Sequence, residues 1–200
     1  MRSNRPLALG LLGAVLAASP AAATTLRSLS VRELLARAEL VFEGRAVARE
    51  TRELAPDGAI RTCVRFEVLA VVKGAPVASP LELCFSGGTV GARTRAVHGV
   101  DPPEPGERGF YFVEDLDAPR VHPLAGFDQG RFRVRGAPGA EEVTTADGRP
   151  VVAVDSVAPP AAGPSEGVAR GARLATRGER GLAPDAFAAR LRELLAEPGP

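Results

Sequence analysis

Two short stretches alternate apolar and polar residues, and each carries one cysteine at the same phase. In Ile60-Arg61-Thr62-Cys63-Val64-Arg65-Phe66-Glu67-Val68, the residues Val64, Phe66 and Val68 fall on one side and Cys63, Arg65 and Glu67 on the other. In Leu81-Glu82-Leu83-Cys84-Phe85, Leu81, Leu83 and Phe85 oppose Glu82 and Cys84. A period of two belongs to half-buried strands, because successive Cβ atoms point to opposite faces of the pleat. The stretch Lys73-Gly74-Ala75-Pro76 ends the first strand, so the two are consecutive. If they pair antiparallel, Cys63 and Cys84 share an outward face, and a bridge between them closes a loop of about 20 residues, stabilising by roughly 3 kcal/mol. The alternative is two free thiols a register apart.

Other elements follow from local signals. Ser30-Val31-Arg32-Glu33 is a capping box, and Val31, Leu34, Leu35 and Ala38 share one helical face, which predicts a short helix over 31–38. Leu40 to Val47 reads as a strand whose Gly44 marks a bulge or a bend. Asp57-Gly58 is a hairpin signal, as is Asp147-Gly148 between 143–145 and 151–154. Further strands are expected at 109–113, near 120–124 and at 130–134, with a long loop over 86–108. From 158 to 181 the chain is Pro, Gly and Ala with scattered charge and no apolar period, the composition of a flexible linker. Pro184 to Glu197 reads as an amphipathic helix with Phe187, Leu191, Leu194 and Leu195 on one stripe. The expected class is mainly β: a small OB-like antiparallel β-barrel over 24–157 with a short N-terminal helix, then a C-terminal amphipathic helix over 182–198.

The compartment is read from the first 23 residues. Arg2 and Arg5 precede an apolar run over 7–18, and Ser19-Pro20-Ala21-Ala22-Ala23 supplies small residues where a signal peptidase cuts. The run is too short for a bilayer core of about 20 apolar residues, which argues against an uncleaved anchor. Cleavage before Thr24 leaves an extracytoplasmic chain, periplasmic or secreted, with no stable membrane anchor. With the segment go two arginines and no acid, so the net charge passes from +1 to −1. Such a balance offers nucleic acid no basic surface and excludes it as a partner. In an oxidising compartment the two cysteines favour the bridge. Aromatics are 4% with no Trp, so Val, Leu and Phe must form the core.

The order of landmarks resembles a group of uncharacterised exported bacterial proteins of netrin-like, tissue-inhibitor-of-metalloproteinase-like OB-barrel type. The likeness rests on 34–46, the strand closing on Val71-Val72-Lys73-Gly74, the Gly87-Gly88 loop, Pro105-Gly106-Glu107-Arg108 and Gly126-Phe127-Asp128-Gln129-Gly130, within 29–154. It implies the barrel. Metalloproteinase inhibitors similar to this fold ligate the protease metal through an N-terminal cysteine, whereas Thr24 stands at the expected start here. The resemblance therefore transfers no functional residue.

Residues that carry chemistry are sparse. His98 and His122 are the only histidines, and with Asp101 and Asp128 they lack the spacing of a metal site. Ser86, His98 and Asp101 lack the Gly-x-Ser-x-Gly elbow of a hydrolase triad. The Gly87-Gly88 loop leads into no helix, so it reads as a turn needing positive φ rather than a phosphate cradle. Glu114-Asp115-Leu116-Asp117 lacks the ligand spacing of a calcium loop, and the cysteines form no Cys-x-x-Cys pair. No catalytic, metal or cofactor site is assigned. The expected role is a non-catalytic binding module for an unidentified protein partner, with Ser86, Gly87, Gly88, His98 and Asp101 in its contact loop. The alternatives are a hydrolase or metal-dependent enzyme using His98 or His122, and an inhibitor-like module by analogy of fold alone.

Overall fold

The computed structural model describes residues 26–54, 58–118 and 120–198. The export segment, Thr24 and Asp57 lie outside the described residues. The first element, α1 (Val31–Arg37), has its Ser30–Glu33 capping box formed in both directions. Lys73, the chain's one lysine, donates to the Leu35 and Ala38 carbonyls at 2.6 and 2.5 Å and so caps its C-terminal end.

Then come β1 (Leu40–Leu54), β2 (Ala59–Lys73), β3 (Leu81–Ser86), β4 (Gly88–Val90), β5 (Arg93–Arg95), β6 (Arg108–Val113), β7 (Arg131–Arg135) and β8 (Glu142–Thr145). Six of these form one antiparallel sheet in the order β3-β2-β1-β6-β7-β8, and β4-β5 stands apart as a hairpin. The long strand β1 changes register against β2 at Glu43/Gly44, the bend that Gly44 signals in the sequence, and again around Val47. A Cβ on Gly44 would lie 2.6 Å from the Phe42 ring, so the bend admits no side chain there.

Alternation puts one apolar set on each face. Phe110, Phe112 and Phe132 meet α1 and α2 (Pro184–Ala196), whose Phe187, Leu191 and Leu194 are buried. Phe42, Phe66, Phe85 and Tyr111 fill the other face. The bridge forms: Cys63 lies opposite Cys84 in the β2–β3 register, and the two are disulfide-bonded. Cys63 itself is buried rather than outward, with Glu50 of β1 opposite it on its other side.

The mainly β class, with a large antiparallel sheet and two helices, is what the patterning predicts. Several finer expectations differ. The sheet is not closed into a barrel. Between its β6 and β3 strands runs an irregular segment: Ala125 N–H donates to Phe112 O, Glu114 N–H to Pro123 O, and Ser86 N–H to Val121 O. The strand expected near 120–124 is reduced to one bridge, Val113 to Leu124, since Pro123 has no N–H to extend a ladder. The expected loop over 86–108 contains the β4–β5 hairpin. Residues 143–154 turn as expected at Gly148, but Val151–Val154 (β9) leaves β8 after the Thr144–Pro150 bridge and pairs with Ala172–Leu174 (β10).

The 158–181 stretch is a strap rather than a structureless linker. Ser165 N–H donates to Leu26 O, Arg170 N–H to Leu29 O, and Val31 N–H to Arg170 O. Ala169 is buried in the helix-side core. Leu182 inserts between strands, donating to Val151 O and accepting from Val143 N–H. The C-terminal helix packs on the sheet, and Arg190 at its middle donates to Ser156 Oγ at 2.6 Å and to Val154 O at 2.8 Å.

Candidate functional site

The polar residues of the second face converge beside Tyr111. The β6–β7 register sets Tyr111 opposite Arg131, so both side chains point the same way, and the turn before β6 brings Glu107 to them. Arg131 is 2% exposed and holds Glu107 bidentately, Nε to Oε1 at 2.8 Å and Nη2 to Oε2 at 2.7 Å. Its Nη1 donates to the Asp101 carbonyl at 2.6 Å, fixing the incoming loop. Tyr111 Oη donates to Glu107 Oε1 at 3.3 Å. Burial, with Glu107 beside it, pushes the Tyr111 phenol above its usual range. Burial also raises the carboxyl of Asp128, whose Oδ1 has no hydrogen-bond partner among the described residues.

His122 sits in the irregular segment next to this network. Its Nδ1 accepts the Leu124 N–H at 3.2 Å. The Phe85 ring stands perpendicular to it at 5.0 Å, and the Phe127 ring lies across it at 4.6 Å. Burial, and then the positive charge of Arg131, push the imidazole down to about 3. A neutral imidazole that accepts at Nδ1 carries its proton on Nε2. That Nε2–H is buried and has no acceptor among the described residues.

A cleft of about 430 Å³ opens beside this ring. Leu26, Leu29 and Leu124 give it apolar walls, and Arg37, Arg120 and Glu114 its charged rim. Gln129 pins the two walls: Oε1 accepts the Leu29 N–H at 2.7 Å, and Nε2 donates to Arg27 O and Gly126 O. Phe127 has φ +62°, the one described non-glycine residue in left-handed backbone.

The residues singled out from sequence are scattered. Ser86 is buried at the end of β3. Gly87 and Gly88 take φ of +106° and +124°, and a Cβ on Gly88 would lie 2.4 Å from Thr51, so they serve the close turn into β4. His98 is exposed. The Asp101 carboxylate, also exposed, faces Arg131 and Arg133 at 3.8 and 3.7 Å. No hydrogen bond among the described residues joins Ser86, His98 and Asp101. His98 and His122 enter no cluster of metal-ligating groups there either. The group that does cluster, Cys63, Glu82 and Cys84, has both sulfurs in the disulfide and Glu82 paired with Arg52. In the acidic turn, Asp115 Oδ1 accepts the N–H groups of Asp117 and Ala118, and Arg120 pairs with Asp115.

Sequence reading missed the Arg131–Glu107–Tyr111 network. The available signal was Arg131-Phe132-Arg133, a strand whose arginines alternate with a core Phe and must therefore face the sheet's other side. Comparison with family models, curated proteins and solved structures returns no match to this chain.

Proposed function

We propose that this chain is an exported, non-catalytic module that binds a protein partner through the β4–β5 hairpin. The observation that carries this reading is the hairpin's position. It stands outside the main sheet, with Arg93, Thr94 and Arg95 all exposed. Its base is held, because Thr62 Oγ1 donates to Gly87 O at 2.9 Å and shares a hydrogen bond with Thr51. Between β5 and Gly58–Ile60 lies an open cleft of about 570 Å³. An extended peptide laid there adds a strand to the β5 edge, the backbone giving affinity and Arg95 favouring an acidic sequence, while Arg93 is paired with Glu53 of β1.

Export is supported by the N-terminal pattern and by the disulfide, and no described helix is long and apolar enough to cross a membrane. Kinship with the exported netrin-like proteins rests on the sequence landmarks alone. The non-catalytic reading is supported by His122, a neutral donor at neutral pH and so not a group that exchanges protons there. Photo-crosslinking from Thr94 in the exported fraction tests the proposal. Arg93→Glu with Arg95→Glu should abolish the crosslinked product, whereas Arg192→Glu on α2 should retain it. Equal capture by all three proteins would remove the hairpin from the interface.

A further inference from the structure

Beyond that interface, we propose that the cleft beside His122 binds a small carboxylate with an apolar body, its oxygen received by the Nε2–H of His122 once Phe127 swings aside. The donor comes first. Since Nδ1 is occupied by the Leu124 N–H, Nε2–H is the one polar group the ring has left to offer, and what it lacks is an acceptor. A buried donor without a partner calls for a physical reason, and a ligand oxygen supplies one.

The cover comes second. Phe85 is fully buried and backs the imidazole from the core, whereas Phe127 is half-buried and lies over it on the side of the cleft. The ring covers the imidazole from a residue held at φ +62°, a backbone conformation that glycine adopts without cost, so Phe127→Gly removes the cover without disturbing the turn. Gln129 keeps the surrounding walls in place while that one ring moves.

The charge of the rim comes third. Arg27 is paired with Glu33, and Arg120 shares Glu114 and Asp115, but Arg37 has no ion pair among the described residues. Arg37 is exposed at the end of α1 and lines the cleft, so a carboxylate finds both an uncommitted guanidinium and a neutral N–H. Leu26, Leu29 and Leu124 take the hydrocarbon. Half of the lining residues are charged or polar, which suits an amphipathic ligand rather than a purely apolar one, and the volume lies within the range of small-molecule sites.

The test is titration of the full processed chain with hexanoate, followed by calorimetry and by the imidazole ¹⁵N–¹H resonances. The free protein should show the Nε2–H tautomer, and hexanoate should shift that proton saturably. Hexanol and inorganic phosphate should each bind at least about tenfold more weakly. Phe127→Gly, which suits positive φ and removes the cover, should tighten hexanoate several-fold. Arg37→Glu, at an exposed position, should weaken it about tenfold with the fold intact. His122→Phe should abolish it, and if that variant does not fold the other two still decide. An Nδ1–H tautomer, no saturable shift, hexanol or phosphate binding as well as hexanoate, or indifference to Arg37→Glu and Phe127→Gly would each overturn the site.

Discussion

His122 and Arg131 show how differently two buried basic side chains act on stability. The imidazole titrates near 3 in the folded chain against 6.5 for the free group. Between those values the unfolded chain takes up a proton that the folded chain refuses. Stability should therefore fall as the pH drops below about 6.5, by up to ~1.4 kcal/mol per pH unit. Urea unfolding near neutral pH and again near pH 5 checks this, with His122→Phe as the reference that subtracts the carboxylates. A wild-type midpoint that moves no more than the variant's would refute it. Arg131 is charged and buried, and its bidentate bond to Glu107 offsets its desolvation. Arg131→Met leaves the largely buried Glu107 carboxylate with only Arg133 at 3.4 Å and the Tyr111 hydroxyl among the described residues and should cost about 3 kcal/mol, while adding Glu107→Leu should restore much of that loss. Denaturant midpoints of the two variants separate an ion-pair penalty from a packing defect: if the double variant is no better than the single, packing carries the effect.

Elements with a clean local signal were legible, and those made by distant pairing were not. The capping box at Ser30, the bend at Gly44 and the two alternating strands form where the sequence places them, as does the stripe of α2 except for Leu195, which is exposed. Each depends on neighbours within a turn or a pleat. By contrast β10 is three residues long in a Pro- and Gly-rich stretch, and it exists because β9 offers it an edge. No periodicity of its own announces it. Asp101 reads from sequence as a contact-loop residue, and its carboxylate faces arginines brought from β7 that no local pattern announces. The cysteine pair was the most informative local signal, since two strands with sulfurs at matching phase fix a register between them. Cys63→Ala with Cys84→Ala should lower stability by roughly 3 kcal/mol and leave the β2–β3 pairing in place, because Val64–Leu83 and Phe66–Leu81 still oppose each other. Thermal melts with and without reductant measure the loss in the wild type, and the double variant should be indifferent to reductant. Sensitivity of that variant to reductant would break the account.

At the scale of the whole molecule, local reading divided the chain at 157, and the packing does not. Phe110, Phe112 and Phe132 on the helix face of the sheet are covered by Phe187 at ring-centroid distances of 5.0 Å from Phe110 and from Phe132. The strap between β9 and α2 also holds the chain's N-terminal end, since Arg170 bonds backbone to backbone with both Leu29 and Val31. Its guanidinium meets the capping-box Glu33 at 2.6 Å. Strap and helix therefore form one wall of the same core, and β9 without β10 and Leu182 would present unpaired backbone on both sides. Burying a Phe or Leu side chain is worth about 1.5–3 kcal/mol, so losing Phe187, Leu191 and Leu194 together removes as much as a small domain's whole margin of stability. A chain ending at 157 should not fold cooperatively: it should bind a hydrophobic dye, lose its near-ultraviolet dichroism and be digested at α1. Supplying 158–198 as a separate peptide should restore part of the signal, because the contacts it makes are specific to that face. Conversely, limited proteolysis of the intact chain should spare 164–182 despite its linker-like composition. A sharp two-state melt from the 24–157 fragment, or early cleavage within 164–182, would show that the strap lies on a core already complete without it.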